Sequence, residues 1–143
     1  MPRLMAEPAH FLARFIDHTL LRPEATREAY ERLFAEAAEA NFASVCVPPI
    51  WVGLAAETLR GTSVAAGTVV GFPLGYVEPH VRIEESRRAI AVGAAELDTV
   101  LNLSWLKGGE DARVLEDLAA WVAAARAERP DIVLKVILET CLL

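Results

Sequence analysis

The sequence predicts an α/β fold with parallel strands, and three observations predict it. Strand-period and helix-period segments alternate along the chain, the pattern that builds a parallel sheet through right-handed crossovers. Two of the strand segments, Ala95–Leu103 and Val133–Thr140, carry charges on one parity only. The length, 143 residues, suits a single domain.

The two charged strands carry most of the information. In AELDTVLNL, Glu96, Asp98, Val100 and Asn102 share one side, and Leu97, Thr99, Leu101 and Leu103 share the other. In VLKVILET, Val133, Lys135, Ile137 and Glu139 oppose Leu134, Val136 and Leu138. This is the period of a strand. Both runs are too apolar to be solvent-facing edges, so each carries a charge, Asp98 or Lys135, into a largely buried place. A lone buried charge is costly unless it is paired or hydrogen-bonded. Neighbouring parallel strands lie about 5 Å apart, close enough for the two charges to meet.

Two architectures compete. A five-stranded doubly wound sheet fits the length. A (β/α)8 barrel needs about 250 residues, so only part of one would be present. Central strands of an open sheet are covered on both faces and read as continuous apolar runs. Here Asp98, Asn102, Lys135 and Glu139 interrupt one parity, which favours a barrel interior near its C-terminal mouth. The expected fold is therefore an incomplete TIM-type (β/α)8 barrel. It forms a single partial domain over residues 1–143, with about five βα units after a lead-in helix.

The elements follow in order. Ala9–Phe15 is a short amphipathic lead-in helix. Ile16–Leu21 (IDHTLL) is a short strand stopped by Arg22-Pro23, with Asp17 and Thr19 on one face and His18 turned toward the helices. Thr26 suits the N-cap of a helix over Arg27–Ala40, and Asn41 suits its end. Tyr30, Leu33, Phe34, Ala37 and Ala38 recur there at helical spacing. Ala43–Val47 is a strand broken by Pro48-Pro49; Ile50–Leu59 is a helix ended by Gly61. Ser63–Phe72 is a strand. Gly71, Pro73 and Gly75 form the turn after it, where glycine permits unusual backbone angles. Glu78–Val92 is a helix whose Glu84, Glu85, Arg87 and Arg88 read as solvent faces. After the Ala95–Leu103 strand, Lys107 reads as a solvated loop residue. A long helix over about Asp111–Glu128 then leads to Val133–Thr140.

Composition narrows the function. The chain is 54% hydrophobic and 24% charged, with a net charge of −6. That is a globular composition, and the acidity argues against a nucleic-acid partner. Only Lys107 and Lys135 are lysines, which confines lysine chemistry to two side chains. Cys46 and Cys141 have neither metal-ligand spacing nor a disulfide framework, so reduced thiols and a cytoplasmic location are expected. No apolar run reaches the roughly 18 residues of a membrane span, and no membrane partner is expected. Met1–Pro8 lacks the apolar core of a signal peptide.

Five segments in order, IDHTLL, SVCVPP, VVGFPLG, GAAELDTVLNL and LKVILETCLL, resemble the deoxyribose-phosphate aldolase family of class I aldolases. Arg22, Pro48 and Thr99 stand where that family usually has lysine, asparagine, and methionine or valine. The resemblance implies a TIM barrel and reversible Schiff-base cleavage of 2-deoxy-D-ribose 5-phosphate, a small phosphorylated sugar, without metal or other cofactor. It implies that Asp98 is the acid/base catalyst. Asp17, Thr19, Cys46 and Lys135 would line the substrate site, with Lys135 supporting Asp98 rather than acting as nucleophile. The family's imine-forming lysine lies on the sixth strand, in a Lys-Thr-Ser-Thr-Gly-type motif, and its phosphate loops lie further on. The residues given stop before these, so truncation after the fifth strand is expected.

Residue chemistry leaves alternatives open. A lysine in an apolar strand is by itself a Schiff-base candidate, since desolvation frees the amine. Asp98 could be a structural partner of Lys135, Asp17 and Thr19 could serve strand-end hydrogen bonding, and Cys46 could be a small buried hydrophobe. The chain could be an inactive remnant that folds or self-associates through exposed strand edges. A doubly wound binding domain is disfavoured by the missing glycine-rich loop after the first strand.

Overall fold

A computed structural model describes residues 11–143. The first part of the expected lead-in helix, Ala9 and His10, lies outside the described residues; residues 11–13 are helical. Five strands follow: β1 (Asp17–Thr19), β2 (Ser44–Val47), β3 (Ala65–Val70), β4 (Glu96–Val100) and β5 (Val133–Ile137). Between them lie α1 (Arg27–Ala40), α2 (Val52–Thr58, entered through a 3-10 turn at Pro49–Trp51), α3 (Pro79–Ala91), α4 (Leu103–Lys107) and α5 (Asp111–Glu128).

All strand pairs are parallel and the order is β1-β2-β3-β4-β5. That order decides between the two architectures. A doubly wound sheet reverses its strand order at a switch point so that helices cover both faces. This sheet never reverses, so right-handed crossovers place every connecting helix on one face. The core lies on that face. Val45, Val47, Ala66, Val70 and Leu97 pack with Tyr30, Phe34, Val52, Ala55 and Trp121 of the helices. The opposite parity (Asp17, Ser44, Cys46, Gly67, Glu96, Asp98 and Lys135) is the inner wall of a barrel segment.

The curvature is demonstrable from one contact. On a flat sheet, four strand gaps of about 4.8 Å would hold β1 and β5 about 19 Å apart. An extended lysine and aspartate with a hydrogen bond between them reach roughly 12 Å. Yet Lys135 Nζ on β5 donates to Asp17 Oδ2 on β1 at 2.6 Å. The sheet must therefore curl around its inner face.

Element ends are read by local chemistry in part, and several are corrected. Thr26 and Asn41 bound α1, and Asn41 takes the left-handed conformation at φ 55°. Thr26 makes no side-chain cap hydrogen bond, so only its position matches. The strand expected over Ala95–Leu103 stops at Val100, because Asn102 caps α4 instead: its Oδ1 accepts from Trp105 N–H at 3.3 Å. Lys107 therefore ends a helix, not a loop, and donates to the Leu142 carbonyl at 2.6 Å. The last strand stops at Ile137 rather than Thr140, and Glu139 adopts φ 52° before a 3-10 turn at Thr140–Leu142. In the turn after β3, Gly75 has φ 72°, and an added Cβ would sit 2.4 Å from the Leu101 carbonyl oxygen.

The helix layer has a polar seam that sequence reading missed. Arg82 of α3 is fully buried and pairs with Asp117 of α5 at 2.9 Å. One turn along both helices, Trp121 Nε1 donates to Ser86 Oγ at 2.9 Å. Glu85, expected on a solvent face, is half-buried, and its carboxylate accepts from Gly71 N–H at 2.7 Å. Removing one partner of a buried ion pair strands the other charge, at a cost of about 3–5 kcal/mol. Asp117→Ala is therefore expected to destabilise the fold by about that amount. In urea titration the midpoint should fall while the slope stays unchanged.

Candidate active site

β4 and β5 are neighbours, and their register sets Asp98 directly beside Lys135. The Lys135 side chain is 34% exposed and points into the concave face. Its ammonium meets three carboxylates: Asp17 at 2.6 Å, Glu96 at 2.8 Å and Asp98 Oδ1 at 3.2 Å. The first two are hydrogen bonds. The third is a charge contact, and Asp98 Oδ1 has no hydrogen-bond partner among the described residues. Ser44 Oγ donates to the other oxygen of Asp17 at 2.7 Å, so β2 holds that carboxylate in place.

Gly67 of β3 stands in register with Cys46 and Glu96. A Cβ there would come within 3.0 Å of the Val45 carbonyl and 3.4 Å of Glu96 Cβ. The missing side chain lets the neighbouring strands crowd this part of the wall.

The electrostatics separate the two aspartates. Burial alone would raise Asp17, but hydrogen bonds from Lys135 and Ser44 outweigh it and hold its carboxyl below the ordinary value. Burial also raises Asp98; the Lys135 ammonium, through its charge and its close 3.2 Å approach, only partly offsets it, and the Asp17 and Glu96 charges add to the rise. Asp98 therefore stays above its ordinary value. Burial would lower Lys135, but hydrogen bonds to Asp17 and Glu96 and the charge of Asp98 hold it well above the usual lysine value. Burial pushes the Cys46 thiol up to about 12, helped by the Asp98 carboxylate. At neutral pH the cluster thus has a charged lysine and an unreactive thiol.

Of the residues singled out from sequence, Asp17, Asp98 and Lys135 come together, and Cys46 is buried at 4% exposure beside them. Thr19 shares their parity but is exposed, and its hydroxyl donates to the Asp17 carbonyl at 2.9 Å. His18 turns outward as expected, 2.9 Å from Glu36 and with its ring tilted against Phe42. Sequence reasoning missed Glu96 and Ser44 as members of the cluster. Glu96 could have been found, since it shares the parity of Asp98 two residues away. Nothing local to Ser44 marked it; only its register with Asp17 does.

Fold and site together define a parallel βα-barrel protein with a lysine–carboxylate cluster on its inner wall. Within that class, the chain is similar to curated proteins named deoxyribose-phosphate aldolase across nine-tenths of its own length. It is 51% identical over 132 residues to "Deoxyribose-phosphate aldolase" of Streptococcus suis (strain 05ZYH33), covering 92% of this chain and 58% of the relative. It is 52% identical over 130 residues to that of Brevibacillus brevis, covering 91% and 57%. The chain thus spans a little over half the length of these curated relatives. Among solved structures, a putative deoxyribose-phosphate aldolase from Coccidioides immitis superposes with a TM-score of 0.86 at 40% identity, covering 94% of this chain and 52% of that one. The Aeropyrum pernix deoxyribose phosphate aldolase, described as having a unique tetrameric structure, gives 0.82 at 33%, covering 94% and 55%. No family model matches the chain.

The opposed shifts of the two aspartates have opposite consequences for stability. A carboxyl lowered in the folded state stabilises above its unfolded value and loses that contribution as pH falls through the folded value. A raised carboxyl contributes at low pH and loses that contribution as pH rises through its folded value. The ordinary value for both is 3.8. Asp17→Asn is therefore expected to lower stability at neutral pH, and Asp98→Asn to raise it. The Asp98 difference should close once pH falls below the unfolded value, and the Asp17 difference only below its lower folded value, as followed by denaturant midpoints across pH.

Proposed function

We propose that this chain carries part of the active site of a Schiff-base aldolase. The reaction would be the reversible cleavage of 2-deoxy-D-ribose 5-phosphate to D-glyceraldehyde 3-phosphate and acetaldehyde. Asp98 is the proton carrier in this reading, and the observation that carries it is the site's geometry. One carboxyl on the inner wall has its proton affinity raised, beside a lysine whose hydrogen bonds go elsewhere. A general acid and base works best when its affinity lies near the operating pH. Asp98 would give a proton to the carbinolamine hydroxyl, which leaves as water; its carboxylate would then take the C3 hydroxyl proton as the C2–C3 bond breaks, releasing glyceraldehyde 3-phosphate and leaving the enamine, and would return that proton to the enamine carbon.

Lys135 is assigned to the wall and not to the bond-forming step. An amine must be neutral to attack a carbonyl, and three carboxylates keep this one charged. Lys107 is exposed and engaged with the Leu142 carbonyl. The imine-forming amine is therefore assigned to neither lysine of this chain, and the phosphate contacts lie outside the cluster described. Asp17, Thr19 and Cys46 are assigned to lining the substrate space. No metal or cofactor is invoked. The free Cys46 and Cys141 thiols accord with a cytoplasmic location.

A second reading, a chain that folds and associates without catalysis, is favoured by one observation. Among the described residues, β1 and β5 each keep one unpaired edge, and Val133 and Val136 of β5 lie exposed, with Leu138 just after it. Such edges invite a further strand, from another copy among other sources. Sizing chromatography reports that association.

Two measurements test the first reading. Incubation with acetaldehyde and borohydride, followed by mass mapping, should leave Lys135 and Lys107 unmodified; a reduced adduct on Lys135 would make it the nucleophile and contradict the assignment. In the protein as purified from its source, Asp98→Asn should lower kcat for release of glyceraldehyde 3-phosphate by about 10²–10⁴-fold with little change in KM. A wild-type protein without cleavage activity would instead favour the second reading.

A further inference from the structure

Glu96 has no part in the reaction just outlined, yet it is the most enclosed carboxylate of the cluster. Its side chain is 13% exposed, against 18% for Asp98 and 34% for Asp17. It projects from the same strand and the same face as Asp98, two residues earlier. A lysine ammonium has three protons to donate. Here one goes to Glu96 Oε2 at 2.8 Å and one to Asp17 Oδ2 at 2.6 Å. Asp98 Oδ1, at 3.2 Å, receives no hydrogen bond.

That division matters for a proton carrier. A direct ammonium hydrogen bond would hold a carboxylate ionised, and a carboxylate held so is a poor acid. We propose that Glu96 is a positioning residue for Asp98: with Asp17 it takes two of the three Lys135 donors and so fixes the ammonium's orientation, which leaves an Asp98 oxygen uncommitted for proton exchange. This rests on the assignment of Asp98 as proton carrier made above. The groups that face Asp98 are Lys135 from β5, Glu96 on its own strand, Asp17 from β1 and the Cys46 thiol from β2. By register β3 sets Val69 beside it, which carries no charge.

Charge and reach can be separated by substitution. Glu96→Ala removes both; Glu96→Asp keeps the charge but withdraws the carboxylate by one methylene. The readout is the titration midpoint of the Asp98 carboxyl, followed by carbon NMR in the intact chain, with circular dichroism reporting the fold. In both variants the released ammonium donor is expected to turn to Asp98 and lower its midpoint, by about one unit in Glu96→Ala and by less in Glu96→Asp. A midpoint that falls in Glu96→Ala but stays unchanged in Glu96→Asp would make Glu96 a mere neighbouring charge and overturn the proposal. So would a lowered melting temperature with the midpoint unmoved in both, the signature of a purely structural residue. If Glu96→Ala does not fold, Glu96→Asp alone decides. The titration needs no aldol chemistry, so a failure here is distinct from a failure of the trapping experiment.

Discussion

A single ammonium group on the fifth strand reaches a carboxylate on the first, 118 residues earlier in the chain. Everything else about the inner face depends on that reach. It requires the sheet to curl, and the unreversed strand order lets it curl by leaving one face free of crossover helices. It also sets the local charge balance, since one cation is shared among three carboxylates. The sharing is unequal because the geometry is unequal: two hydrogen bonds go to Asp17 and Glu96, and a poorly aligned contact goes to Asp98. A half-buried ion cluster of this kind adds little net stability, since desolvation offsets attraction. Its consequence lies in which groups are charged and which can exchange a proton.

The two faces of the sheet manage polarity in different ways. On the outer face, Arg82 and Asp117 are sealed between two helices with Ser86 and Trp121 one turn away. That seam is buried and joins α3 to α5. On the inner face the polar groups stay within reach of the concave space, and the Lys135 side chain is about one-third exposed. The first arrangement suits structure, the second exchange with a bound molecule. The same contrast explains why Cys46 and Lys135 are not the reactive groups their residue types suggest. Burial withholds the thiolate, and the carboxylates withhold the free amine.

Much of this was legible in the sequence because strands write their faces every second residue. The parity of Asp98 and Lys135 separated a barrel wall from a doubly covered sheet, and the placement of His18 on the helix side followed from the same count. Glu96 was equally legible by parity; nothing local ranked it above an ordinary strand acid. Other features needed the closed geometry. Asp17 and Lys135 meet only because the sheet curls, and Ser44 joins them only through register. Asn102 sat on the expected parity but serves as a helix cap, since a short polar side chain can accept from a backbone N–H three residues on and so ends the strand early. Arg82 was illegible for a different reason: a charged residue on a helix belongs by default to the solvent face, and its partner lies on another helix.

The curled sheet is tested most directly by a double-mutant cycle between Asp17 and Lys135, measuring unfolding free energies of Asp17→Asn, Lys135→Met and the pair. Side chains in direct contact should couple by about 0.5–3 kcal/mol, whereas independent sites add within about 0.3–0.5 kcal/mol. A coupling in the first range is the predicted result. Simple additivity would mean that β1 and β5 stand apart in solution, and the shared cluster with its division of labour among three carboxylates would be contradicted.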